Sequence, residues 1–223
     1  MSARSYTRRQ LMVEGRKRLP YGYVELEYIQ NTTGAWSTSA PYINTGLKPA
    51  ADSVDGDTYS FEGAWSREGN LKSNWDAVFA ANNGGSGASV WSLEYSGTNG
   101  TRMSVMTNTK GSRIINLSNG ATGVKHTFKT SSSSVTIDNI TTSAPTGKGN
   151  AINTNLMLFR REPSGRGFPM KLYYFKVFKS GVLLMDLIPC KNTNNVVGMF
   201  DLVSKSFFRS ANSSTFVAGK IIY

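Results

Sequence analysis

The chain has one cysteine, Cys190, in 223 residues, so it can form no internal disulfide and no cysteine-based structural zinc site. Its fold has to hold by packing, and nothing signals an oxidising folding compartment. Histidine is equally scarce, with His126 alone. Long apolar runs are missing too: Leu11, Met12 and Val13 near the start fall far short of a secretory signal, and no later stretch approaches a membrane span. The expectation is a protein made and folded in a cytoplasm, without a membrane partner. Acidic residues are few, 14 against 25 Lys and Arg, for a net charge of +11.

What is present points to a globular body. A hydrophobic content of 39% with 11% aromatic residues suffices for a sizeable core, which excludes disorder throughout and collagen-like repetition. The charge is segregated along the chain. Residues 1–20 hold six basic side chains (Arg4, Arg8, Arg9, Arg16, Lys17 and Arg18) and one acid, Glu14. Residues 21–100 hold three basic and nine acidic side chains, and residues 101–223 hold sixteen and four. A basic arm, extended or short-helical, thus precedes a polarised domain over residues 21–223.

From Tyr23 onward, short alternating runs rich in Val, Ile, Thr, Phe, Tyr and Trp are punctuated by Gly, Asn and Ser, the pattern of strands and turns. Strands are expected at 23–30, 42–45, 58–66, 77–81, 90–95, 102–107, 113–117, 125–130, 135–138, 156–161, 170–178, 183–189, 196–201 and 205–208. No long helix is evident. So many short strands without helical crossovers predict antiparallel pairing in two stacked sheets, an all-β jelly-roll sandwich. In the run 171–179, alternation puts Leu172, Tyr174, Lys176 and Phe178 on one face and Tyr173, Phe175 and Val177 on the other. Both faces are largely apolar, which predicts a central strand, with Lys179-Ser180-Gly181 turning into its partner. Residues 50–57, 82–89, 96–101, 119–123, 141–153 and 162–169 read as linkers.

The C-terminal third is the most specific text. The run Lys171-Leu172-Tyr173-Tyr174-Phe175-Lys176-Val177-Phe178 leads through Gly181 and Leu184 into Asp186-Leu187-Ile188-Pro189-Cys190-Lys191. Val196-Val197-Gly198-Met199-Phe200-Asp201-Leu202-Val203, Phe207-Phe208 and Thr215-Phe216-Val217-Ala218-Gly219 follow. This ending resembles concanavalin A-like (laminin-G-like) lectin/glucanase domains of the kind found in phage structural proteins and in surface proteins of gut bacteria. The opening Leu19-Pro20-Tyr21-Gly22-Tyr23, Glu25-Leu26-Glu27-Tyr28-Ile29 and Tyr42-Ile43-Asn44-Thr45-Gly46 is similar to the start of the same family. The resemblance brackets residues 19–219 and implies a two-sheet sandwich. Fold follows from it more firmly than function.

Glycoside hydrolases occur in the wider fold and need two carboxyls held across a sugar. Glu25 and Glu27 share a face of one expected strand, but Glu25-Leu26-Glu27-Tyr28-Ile29-Gln30 departs from the glucanase pattern Glu-x-Asp-x-x-Glu at its third carboxylate. His126 reads as a strand residue without a triad signature, and Cys190 as a small buried hydrophobe. Gly84-Gly85-Ser86-Gly87 lacks the Lys-Ser/Thr that completes a phosphate-binding loop. No enzyme activity and no cofactor are expected. The one metal alternative is calcium at Asp52, Asp55 and Asp57, whose spacing matches no EF-hand.

Sugars are held by aromatic faces flanked by hydrogen-bonding side chains. Trp36, Trp75 and Tyr95 lie near loops, with Asn82, Asn83, Arg161 and Arg166 placed to complete a rim, whereas Trp65 and Trp91 read as core. The arm can neutralise phosphates, dock in an acidic groove or stay solvated. Only Tyr6 is interleaved with its charges, which disfavours nucleic acid. The expectation is a non-enzymatic bacteriophage virion protein in capsid or tail, assembled in the host cytoplasm and present in many copies or as a homo-oligomer. It would be anchored to other virion proteins by the arm and display a lectin-like domain toward host or mucosal glycans. The alternative is a free or cell-surface carbohydrate-binding module of a gut bacterium.

Overall fold

The computed structural model describes residues 19–34, 36–49, 59–72, 75–82, 90–109, 112–131, 133–145, 153–161 and 165–222. In chain order the strands are β1 Tyr23–Glu25, β2 Ile29–Asn31, β3 Ile43–Asn44, β4 Tyr59–Arg67, β5 Ala77–Ala81, β6 Val90–Tyr95, β7 Arg102–Thr109, β8 Arg113–Asn116 and β9 Lys125–Thr130. They continue as β10 Ser134–Ile137, β11 Ile140–Ser143, β12 Met157–Leu158, β13 Met170–Lys179, β14 Val182–Asn192, β15 Val197–Asp201, β16 Phe207–Arg209 and β17 Val217–Ala218. No helix occurs among the described residues.

Two antiparallel sheets form a sandwich, as the alternating runs predict. The larger has eleven strands, ordered β11-β10-β9-β4-β13-β14-β15-β16, with β1 beside β14 and β2 joining β13 to β17. The smaller is β3-β12-β5-β6-β7-β8. Strict alternation explains strands that face the core on one side only: in β9, His126, Phe128 and Thr130 are buried while Lys125, Thr127 and Lys129 are exposed. Phe79 of the small sheet packs among Phe61, Phe128 and Phe175 of the large one, with ring centroids 5.0, 5.5 and 5.3 Å away. That aromatic knot ties the layers together.

Three expectations need correction. The run 23–30 is two strands, because the chain leaves β14 at Glu25, bridges Leu26 to Ile221, and then joins β13 as β2. The face assignment in 171–179 fails because a bulge at Tyr173 shifts the phase: Met170 and Leu172 are buried before it, Phe175 and Val177 after it. The strand is nonetheless central, between β4 and β14. Residues 141–143, expected as linker, belong to β11, which pairs with β10 through a two-residue turn at Asp138-Asn139. The turn at Ser180-Gly181 forms as expected, with φ of 48° and 81°. Residues 1–18, Asp52, Asp55, Asp57 and Asn83 lie outside the described residues.

Candidate functional site

The first residues of β5 and the last of β6 build one end of the small sheet. Trp75 N–H donates to Tyr95 O at 2.8 Å and Tyr95 N–H to Asp76 O at 2.9 Å, so the β5–β6 ladder runs past its last strand residues. Trp75 adopts φ 77°, in the left-handed region. Trp36 also has a positive φ, 64°, and its N–H donates to Gly167 O at 3.1 Å. A third segment closes on them. Arg161 and Arg166 exchange backbone hydrogen bonds at 2.9 and 3.2 Å, and Ala77 N–H reaches Arg166 O at 3.4 Å.

The side chains then converge. Asp76 is fully buried, and its carboxylate accepts from Trp36 Nε1 and, at 2.8 Å, from the backbone N–H of Lys72. The Arg166 guanidinium lies 4.5 Å from the Trp36 ring centroid, and the Lys72 ammonium 4.9 Å from it. Arg161 lies 5.4 Å from the Trp75 ring and places Nη1 3.1 Å from Oε2 of Glu94. Glu94 has no exposed surface at all. Burial pushes its carboxyl up to about 7, against the pull of Arg161, the Ser92 hydroxyl and Arg166, while Asp76 adds to the rise.

Four of the expected rim residues, Trp36, Trp75, Arg161 and Arg166, are therefore brought together. Two described ones are not on the rim. Tyr95 is fully buried with its hydroxyl accepting from Trp65 Nε1, and Asn82 keeps only 2% of its surface. Tyr95 ends β6 with its ring in the core, and Asn82, just past the end of β5, is buried, neither of which proximity to a loop in sequence reveals. Trp65 and Trp91 are core, as expected. Glu25 and Glu27 do not share a strand, since β1 ends at Glu25. His126 is buried in β9 with Nδ1 2.9 Å from Asp138 Oδ2, and its ring rests 5.1 Å from that of Trp65. Cys190 is buried, and burial with nearby Glu25 pushes its thiol up to about 12. No group of three or more metal-ligating side chains occurs among the described residues.

Asp76 and Glu94 are absent from the sequence reading. The signal was the alternation in Ser92-Leu93-Glu94-Tyr95, which sets Ser92 and Glu94 on the face opposite the core, where polar side chains are ordinarily solvated.

No protein-family model matches the chain, and no curated protein matches it. Among solved structures, it is similar to the CBM40 of Ruminococcus gnavus IT-sialidase bound to α2,3-sialyllactose, with a TM-score of 0.39 and 13% identity. That match covers 68% of this chain and 88% of the other.

Proposed function

We propose that residues 21–223 are a non-catalytic glycan-binding domain of the concanavalin A-like type, carried on a bacteriophage particle by the basic arm of residues 1–20. The observation that carries the binding reading is the convergence of two indole rings, Trp36 and Trp75, with two guanidinium groups, Arg166 and Arg161, at one end of the small sheet. An indole face stacks on the apolar face of a pyranose, and guanidinium donors pair with its oxygens. The part-exposed rings and the exposed Lys72 leave the Trp36 side approachable. Catalysis is disfavoured because both oxygens of Asp76 are engaged and Glu94 is sealed beneath Arg161. The phage setting is supported by the family resemblance and by the segregation of charge into a short arm. Many copies on one particle would turn weak single-site binding into useful avidity.

Glycan-array binding by the full chain tests the first clause. The expected result is binding that is lost in Trp36→Ala and Trp75→Ala while thermal unfolding shows both variants folded. Unchanged binding in both, or none by the parent, overturns it. Co-purification with intact particles tests the second, with loss of incorporation expected when residues 1–18 are removed. Absence of the full chain from particles returns it to a free or cell-surface carbohydrate-binding module.

A further inference from the structure

The outer face of the small sheet holds a buried polar row. Along β6, Trp91, Leu93 and Tyr95 enter the core, so Ser92 and Glu94 point the other way. Register puts Glu94 between Ala77 of β5 and Ser104 of β7, and directly opposed residues share a face. Ser92, Glu94 and Ser104 are all fully buried. Glu94 Oε1, Ser92 Oγ and Ser104 Oγ nevertheless have no hydrogen-bond partner, and neither has Arg166 Nε. Ser92 is close enough to favour the charged carboxylate but meets it without hydrogen-bonding geometry. Buried polar atoms are almost always satisfied, and four unsatisfied ones in a single cluster mark a place that a polar ligand completes.

The charges say which ligand. Those acting on Glu94 are Arg161, Arg166 and Asp76. With Glu94 ionised the set is balanced, two cations against two carboxylates. With Glu94 protonated it carries one unpaired positive charge. Resting on the glycan-binding reading above, we infer that this cluster is the subsite for a sugar bearing a single carboxylate, which takes Arg161 in place of Glu94 as Glu94 accepts a proton. A guanidinium presents the same planar donor pair to either carboxylate, so the exchange is like for like. The one positive charge left unpaired among these four groups matches a monoanion. Arg161 keeps 15% of its side-chain surface exposed, which gives the incoming group a way to reach it. Since burial sets Glu94 near 7, the exchange spans neutral pH.

Isothermal titration of the full chain with galacturonate, sialyllactose and neutral lactose at pH 6 and pH 8 tests this. The two acidic glycans distinguish a uronate from another sugar acid. At least one should bind more tightly than lactose, and roughly tenfold more tightly at pH 6 than at pH 8, because the protonated fraction of a group titrating near 7 changes by that factor. Glu94→Gln should bind the acidic glycan equally at both pH values. Arg166→Gln, which leaves the Arg161–Glu94 pair intact, should lose the acidic preference. Lactose bound as well as the acidic glycans, or an acidic preference with no pH dependence in the parent, overturns the inference and leaves the glycan reading standing. Binding to no glycan in the test or on the array overturns both. Should Glu94→Gln fail to fold, the parent's pH ratio and Arg166→Gln decide the matter.

Discussion

Trp65 Nε1 donates to the Tyr95 hydroxyl at 3.3 Å, a polar contact between the two sheets within the core. Trp65 belongs to β4 of the large sheet and Tyr95 to β6 of the small one, and both are fully buried. Burial pushes the tyrosine hydroxyl up to about 12, so it remains a neutral partner for the indole at any working pH. Tyr95→Phe strands the indole N–H and should cost about 1–2 kcal/mol in urea unfolding. Glycan binding should be unaffected, because the ring faces the core. Lost binding with unchanged stability would restore Tyr95 to the rim.

Asp138 ties the β10–β11 turn to β9. One oxygen lies 2.9 Å from His126 Nδ1, the other accepts from Thr127 N–H at 2.9 Å, and the residue holds φ 52°. Asp138→Ala removes both bonds and a side chain suited to that backbone, and should lower stability by about 1–3 kcal/mol. Asp138→Asn keeps the backbone preference and one donor–acceptor pair, so it should lose less. Chemical unfolding of both variants checks the order, and a larger loss for Asn contradicts it.

Gly198 is required for space. A Cβ there would lie 2.2 Å from the carbonyl oxygen of Phe208 on β16 and 2.9 Å from the Phe207 ring. The backbone clash cannot be relieved by a rotamer change, so Gly198→Ala should exceed the usual overpacking cost of about 1–3 kcal/mol or abolish soluble expression. Gly181, at φ 81° with open space around it, is required only for conformation, and Gly181→Ala should cost about 1 kcal/mol. Equal losses at the two positions would refute the distinction.

Glu94 makes stability fall as pH rises. Its folded carboxyl titrates near 7 rather than the ordinary 4.5, so between those values the native state holds a proton that the unfolded chain has released. Its contribution is fully present below about pH 4.5 and is lost on approach to pH 7, by roughly 3 kcal/mol. Unfolding free energies at pH 5 and pH 8 should show this drop in the parent and a smaller one in Glu94→Gln. The same drop in both would assign the effect elsewhere.

Much of the fold was legible because strands announce themselves locally. The pattern Lys125-His126-Thr127-Phe128-Lys129-Thr130 predicts its own inward and outward faces, and β5, β6 and β9 run as expected. Where alternation slips, as at the Tyr173 bulge, the cause is pairing with β4 across the sheet, which a period of two cannot encode. The missed β11 had a signal in Asp138-Asn139, a dipeptide suited to a tight hairpin turn.

The site was half legible. Trp36, Trp75, Arg161 and Arg166 stood out as aromatic and basic residues in loops, yet nothing local joined them. Their meeting depends on contacts between distant segments: Trp36 bonds Asp76 across 40 residues and Arg161 bonds Glu94 across 67. The sequence by itself determined the all-β architecture, the stock of aromatic and basic side chains, and the segregation of charge, because propensity, periodicity and composition are properties of short windows. Only the tertiary structure decided that Tyr95 turns inward, that Asn82 is buried and that Glu94 lies under a guanidinium. Burial and electrostatic environment are set by what folds on top of a residue, and for Glu94 that cover comes from the far side of the chain.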